Sequence, residues 1–138
     1  MLVDTSGLLS AMFKDQRRHE SCRAIVESHT GSFLLSPFVL AELDYLVGKL
    51  AGVDAELALL DEVARGAYQL AEFTPLEVSV ARDVVAEYRD LGLGLADASI
   101  ISLGRLHGCA EVLTLDERHF RAVMGPAGKP FRLLPADA

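Results

Sequence analysis

Met1-Leu2-Val3-Asp4-Thr5-Ser6-Gly7 and Val112-Leu113-Thr114-Leu115-Asp116 are the two stretches on which the fold turns. Each is a short apolar run that ends in an acid and passes into helical spacing. Runs of this length, bounded by polar turns, fit strands buried on both faces. Between them, short apolar runs alternate with helical segments. Gln16 to His29 has Cys22, Ile25 and Val26 on one side and basic residues on the other. Phe33-Leu34-Leu35 reads as a strand, and Ser36-Pro37 opens a helix, with Ser as N-cap and Pro in the first turn. That helix runs to about Leu50 and is apolar almost all round, the pattern of a buried helix. Asp54 to Ala67 is a further helix and Tyr68 to Phe73 a second internal strand. Thr74-Pro75 then starts a helix with Glu77 as capping-box partner, turning Val78, Ala81, Val85 and Tyr88 inward. Leu95 to Leu106 is helical and stops at Gly108. A short helix over Glu117 to Val123 and a strand over Phe131 to Leu134 complete the chain.

This alternation predicts an α/β fold built from βαβ units, with a central, mostly parallel sheet covered on both faces. No linker, repeat or low-complexity tract interrupts residues 1–138, so a single domain is expected. In such folds binding sites form outside the carboxyl ends of the strands, where Asp4 and Asp116 fall.

Composition narrows the function. Half of the 138 residues are apolar (51%), enough for a core and against disorder. The 20 Asp plus Glu outnumber 13 Lys plus Arg, for a net charge of −7. That balance excludes coating of nucleic acid by charge alone. No apolar stretch approaches the roughly 20 residues of a membrane span, and Asp4 interrupts the one candidate leader. Cys22 and Cys109 form no ligand motif and read as reduced thiols, so a cytoplasmic protein is expected.

Two further acids lack a cation at i±3 or i±4. Glu42 has Phe38, Val39, Tyr45 and Leu46 as helical neighbours, and Asp97 has Leu93, Gly94, Ile100 and Ile101. Glu20 and Glu87, by contrast, sit among polar neighbours. A carboxylate on an apolar face costs several kcal/mol unless it is paired, protonated or bound to metal. If the helices bearing Glu42 and Asp97 start from the edge that holds Asp4 and Asp116, four acids converge. Like charges so close need compensation, and hard dications with oxygen ligands supply it: Mg²⁺, with Mn²⁺ as a substitute. Plainer roles stay open for each acid: an N-cap for Asp4, Asp97 or Asp116, and a backbone-bonded buried acid for Glu42. Asp44 also has apolar neighbours, but it points about 200° away from Glu42 around the helix.

The same residues carry a resemblance. Met1-Leu-Val-Asp-Thr-Ser6 resembles the opening of PIN-domain ribonucleases, in particular the VapC toxins of toxin–antitoxin modules. Ser36-Pro-Phe-Val-Leu-Ala-Glu42 matches the family's helical acid, Leu95-Ala-Asp97-Ala-Ser-Ile its third acidic motif, and Val112-Leu-Thr-Leu-Asp116-Glu-Arg-His-Phe120 its strand-end motif. Each motif is short, but the four stand in order over residues 4 to 120. The resemblance implies a PIN-like α/β/α sandwich and a divalent-metal-dependent endoribonuclease acting as the toxin of a type II system. Asp4 and Asp97 would be central metal ligands, completed by Glu42 and Asp116 directly or through water. Thr5 or Ser6, and Thr114, would orient these carboxylates. Hydrolysis would leave 5′-phosphate and 3′-hydroxyl ends. A VapB-type antitoxin that obstructs the site, a toxin homodimer and a heterotetramer or larger complex are also implied. The RNA target is not readable, since cutters of tRNA, ribosomal RNA and mRNA share these motifs.

Other signals have plainer readings. His119 reads as a solvated helix position, with RNA contact as the alternative. The cluster Lys14, Arg17, Arg18 and Arg23, and the later Arg118, Arg121, Lys129 and Arg132, read as wet faces or as RNA-backbone contacts. A receiver-type phosphoacceptor domain is the first rival, but Ser36 rather than an acid follows Phe33-Leu34-Leu35, and Lys129 lies in a Gly-Pro loop. A catalytically silent protein-binding module is the second, and the intact acidic quartet argues against it.

Overall fold

A computed structural model describes residues 1–138. Five short strands form one sheet in the order β3-β2-β1-β4-β5: β1 Leu2–Val3, β2 Leu34–Leu35, β3 Gln69–Leu70, β4 Glu111–Leu113 and β5 Arg132–Leu134. Every pairing is parallel, so the sheet is parallel throughout rather than mostly so. A lone antiparallel bridge, Met124 to Pro130, lies outside the strands. Seven helices cover the sheet: α1 Thr5–Met12, α2 His19–Ser28, α3 Pro37–Ala51, α4 Val53–Ala64, α5 Pro75–Glu87, α6 Leu95–His107 and α7 Glu117–Arg121. None is long and apolar enough to cross a membrane.

β1, β2 and most of β4 and β5 are buried, and two or three residues each suffice to anchor them in the core. Val3, Leu35, Val112, Leu113 and Leu133 are fully enclosed, each worth roughly 1.5–3 kcal/mol of apolar burial. The helix starts follow the local chemistry. Ser36 accepts a hydrogen bond from the Phe38 N–H, with Pro37 behind it. Thr74 and Glu77 form the expected capping box.

Three expectations are corrected by packing. β3 is an exposed edge strand, not an internal one. The α3 helix buries only Val39, Leu43 and Val47, while Tyr45 and Leu50 stand exposed. On α5 the buried residues are Ala81 and Val84, and Val78 faces outward.

The strand order reverses between β1 and β4, each of which begins a different half of the sheet. A crevice opens there at the carboxyl ends of the two strands. Asp4 follows β1, and Asp116 follows β4 by three residues.

Candidate active site

A cavity of about 740 Å³ occupies that crevice, lined among others by Asp4, Thr5, Ser6, Glu42, Asp97, Asp116 and His119. Asp4 is held deepest. It occupies the cap position of α1 but makes no capping bond. Its Oδ2 instead accepts hydrogen bonds from Ser6 Oγ (2.6 Å) and Thr114 Oγ1 (2.7 Å). Ser6 Oγ also accepts from the Leu115 N–H, and Thr114 Oγ1 from the Asp116 N–H. Two hydroxyls thus bind the ends of β1 and β4 into one unit and aim the Asp4 carboxylate.

Gly7 makes this close approach possible. A Cβ at that position would lie 2.5 Å from the Leu113 carbonyl oxygen. The α1 backbone therefore rests directly on β4, which a larger residue forbids.

Asp97 stands in the first turn of α6, where the cap is Gly94, so it is not a cap either. Burial pushes its carboxyl up to about 6, and the charges of Asp4 and Asp116, with a smaller share from Glu42, add to the rise against a lowering by His119. Asp116 does cap α7, accepting from the His119 N–H, and it still faces the cavity. The His119 ring is half-buried, with Nδ1 2.9 Å from Asp116 Oδ2 and 3.2 Å from Asp97 Oδ2. Sequence reading treated it as solvated.

Glu42 differs from expectation in its setting. It lies on an exposed edge of α3 at the cavity rim, not on a buried apolar face. Asp44, on the far side of that helix, lies beside Glu56 of α4 and raises its carboxyl, while Asp44 Oδ1 is buried with no hydrogen-bond partner. Thr5 does not orient the acids. Its hydroxyl is buried with no hydrogen-bond partner.

One contact that the sequence does not reveal sets the helix positions. Ser36 and Ser99 are fully buried and joined Oγ to Oγ at 2.6 Å, while Ser99 donates to the Ala96 carbonyl. This contact ties the start of α3 to the start of α6, and so Glu42 to Asp97. The only available signal was a Ser flanked by apolar residues in Ala98-Ser99-Ile100.

The donor set suits a hard dication. Oxygen atoms predominate, four carboxylates lack matching charge, and Arg17 is the only Lys or Arg on the cavity wall. The orphaned Thr5 hydroxyl adds a buried polar atom in want of a partner. Asp97, Asp116 and His119 offer ligand atoms within 4.8 Å of one another.

Comparison with known proteins shows the family. The model of the PIN domain family matches residues 1–125. The chain is 39% identical over 135 residues to Ribonuclease VapC26 of Mycobacterium tuberculosis (strain ATCC 25618 / H37Rv), covering 98% of this chain and all of the relative. The chain belongs to the VapC family of PIN-domain proteins. Its fold is shared with VapC20 of Mycobacterium tuberculosis, described as a sarcin–ricin loop cleaving toxin (TM-score 0.77, 19% identity, 85% of this chain and 90% of that one). It is shared too with VapBC2 of Rickettsia felis, solved bound to a DNA fragment from their promoter (TM-score 0.67, 18% identity, 96% of each chain). In this VapC-family chain, β5 lies beyond residue 125 and completes the sheet beside β4.

Proposed function

We propose that this protein is the toxin of a type II toxin–antitoxin pair, an endoribonuclease that hydrolyses RNA phosphodiester bonds with a divalent metal ion. The observation that carries the reading is the convergence of Asp4, Asp97 and Asp116, with Glu42 at the rim, in one cavity at the switch point of the sheet. Near 40% identity to a VapC ribonuclease over the full chain supports the activity. Residues 1–138 act as one PIN unit, and the site of action is the cytoplasm.

Asp4, Asp97 and Asp116 would hold the ion, and Glu42 would complete the site directly or through water. When bound, the ion polarises the scissile phosphate and lowers the pKa of the attacking water; Mg²⁺ serves this role, with Mn²⁺ able to substitute. Ser6 and Thr114 fix the Asp4 carboxylate so that no reorganisation is needed as charge develops. Leu9 and Leu115 give the cavity wall an apolar stretch. The products are 5′-phosphate and 3′-hydroxyl ends. A VapB-type antitoxin would obstruct the cavity, and the toxin would pair as a homodimer within a heterotetramer or larger complex.

The test is cleavage of total RNA by the purified protein, with end mapping. Wild type should cut with Mg²⁺ and stop in EDTA, and Asp4→Asn should lose at least ~100-fold of the rate while keeping its fold. Cleavage that persists in EDTA, or in the variant, overturns the proposal.

A further inference from the structure

Sequence reading favours Mg²⁺ because no imidazole is evident among the acids; the fold places one there. Resting on the reading of the cavity as a metal centre, we infer that His119 is a nitrogen ligand of the ion and tilts the site toward Mn²⁺ over Mg²⁺. Three observations carry this.

The first is geometric. His119 Nδ1 stands 2.9 Å from Asp116 Oδ2 and 3.2 Å from Asp97 Oδ2. Neighbouring ligands of an octahedral ion, each bonded at roughly 2.1 Å, lie about 3 Å apart. The ring nitrogen therefore stands at such a spacing from each of the two oxygens, and all three atoms lie within 4.8 Å of one another.

The second is the way the ring is held. His119 is the third residue of α7, and its backbone N–H donates to Asp116 Oδ1 at 3.1 Å. Phe120 beside it is fully buried against Phe131, edge to face. One carboxylate and one core residue thus fix where the ring projects, as a ligand position requires.

The third is independent of the charged groups. Thr5 lines the same cavity, is 4% exposed, and its hydroxyl has no partner. The oxygen is closed to water as the side chain stands, so an occupant of the cavity gives it a partner only by drawing the side chain round.

The consequence for metal choice is chemical. Mg²⁺ takes oxygen ligands and gives up its water reluctantly, whereas imidazole suits first-row transition ions. An acid-and-imidazole set keeps the divalent chemistry of the proposed nuclease and shifts its preference. If the His119 ring served only to hydrogen-bond the neighbouring carboxylates, its loss would not discriminate between the two ions.

Metal binding without turnover decides the matter. Mn²⁺ is titrated into the full-length protein at pH 8 and followed by the paramagnetic resonance of free Mn²⁺, with Mg²⁺ as competitor. Wild type should prefer Mn²⁺ by at least ~10-fold, and His119→Gln should lose about 10-fold in Mn²⁺ affinity with Mg²⁺ affinity nearly unchanged. Protein carrying ¹⁵N-histidine should show a nitrogen hyperfine coupling on bound Mn²⁺, a measurement that needs no variant. Absence of that coupling, or an unchanged preference in His119→Gln, overturns the inference alone. Asp4→Asn separates the two levels: it should weaken both ions together, and if wild type binds neither ion, the metal-centre reading falls with the inference.

Discussion

At Asp97, the burial and like charges that push its carboxyl up to about 6 also set the sign of its effect on folding. In the unfolded chain an aspartate titrates near 3.9. Its folded value is higher, so the folded state holds the proton longer and folding is penalised as pH rises from about 4 to about 6. Asp97→Asn should therefore stabilise the metal-free protein at pH 8, by about 1–3 kcal/mol, and change little at pH 4. Thermal melts in EDTA at both pH values test this; a variant less stable than wild type at pH 8 contradicts it. The same substitution should abolish cleavage, which makes Asp97 a residue kept at the expense of stability. Gly7 presents the opposite case. Gly7→Ala puts a methyl group 2.5 Å from the Leu113 carbonyl, which should cost about 1–3 kcal/mol. It should also slow cleavage by displacing Ser6 from Asp4, so activity at 10 °C, where the variant stays folded, is the discriminating assay.

Among the elements, α3 and α6 meet through the buried Ser36–Ser99 pair. Ser99→Ala leaves Ser36 without that partner and should cost about 1–3 kcal/mol in denaturant unfolding. The α7 helix is only five residues long and is anchored from outside. Arg121 contacts Asp137 at 2.6 and 2.8 Å, and Asp137 also accepts from the Leu133 N–H. The Arg121 guanidinium holds the Asp137 carboxyl down at about 2. A depressed folded value stabilises the protein above pH 4 and withdraws that help as pH falls toward 2. Asp137→Asn should consequently flatten the acid limb of the stability curve between pH 4 and 2 and loosen the segment bearing Asp116 and His119. Hydrogen exchange at the amides of residues 117–121 reports the loosening directly. These anchors mark what the sequence could not reveal. Asp4 and Asp116 stood out because an acid closing an apolar run is legible locally, and Asp97 because its helical neighbours are apolar. Ser99, Gly7 and His119 acquire meaning only from partners brought in by the fold: Ser36 lies 63 positions from Ser99, and Leu113 lies far along the chain from Gly7. Glu42 lacks the buried setting that its helical neighbours suggest, since apolar neighbours on a helix include outward-facing ones such as Tyr45. Periodicity alone could not tell edge strand β3 from an interior one, because both read as short apolar runs.

For the molecule as a whole, the parallel sheet with its reversal between β1 and β4 gathers acids from four parts of the chain onto one edge. The net charge of −7 then reads as partly local. Without an ion, four carboxylates crowd one crevice, and occupancy should stabilise the entire fold by mass action. Saturating divalent ion should raise Tm by several degrees in wild type and leave Asp97→Asn almost unmoved; equal shifts in both would place the bound ion elsewhere. The Asp4–Thr114 hydrogen bond spans 110 positions. During translation the first strand emerges long before the strand that completes its site. Until synthesis has passed residue 116, the growing chain holds three acids of the centre without the fourth, and the cavity has no second strand end to close it. The centre is complete only once nearly the whole chain has been made, so a fragment ending before residue 116 should show no cleavage of RNA.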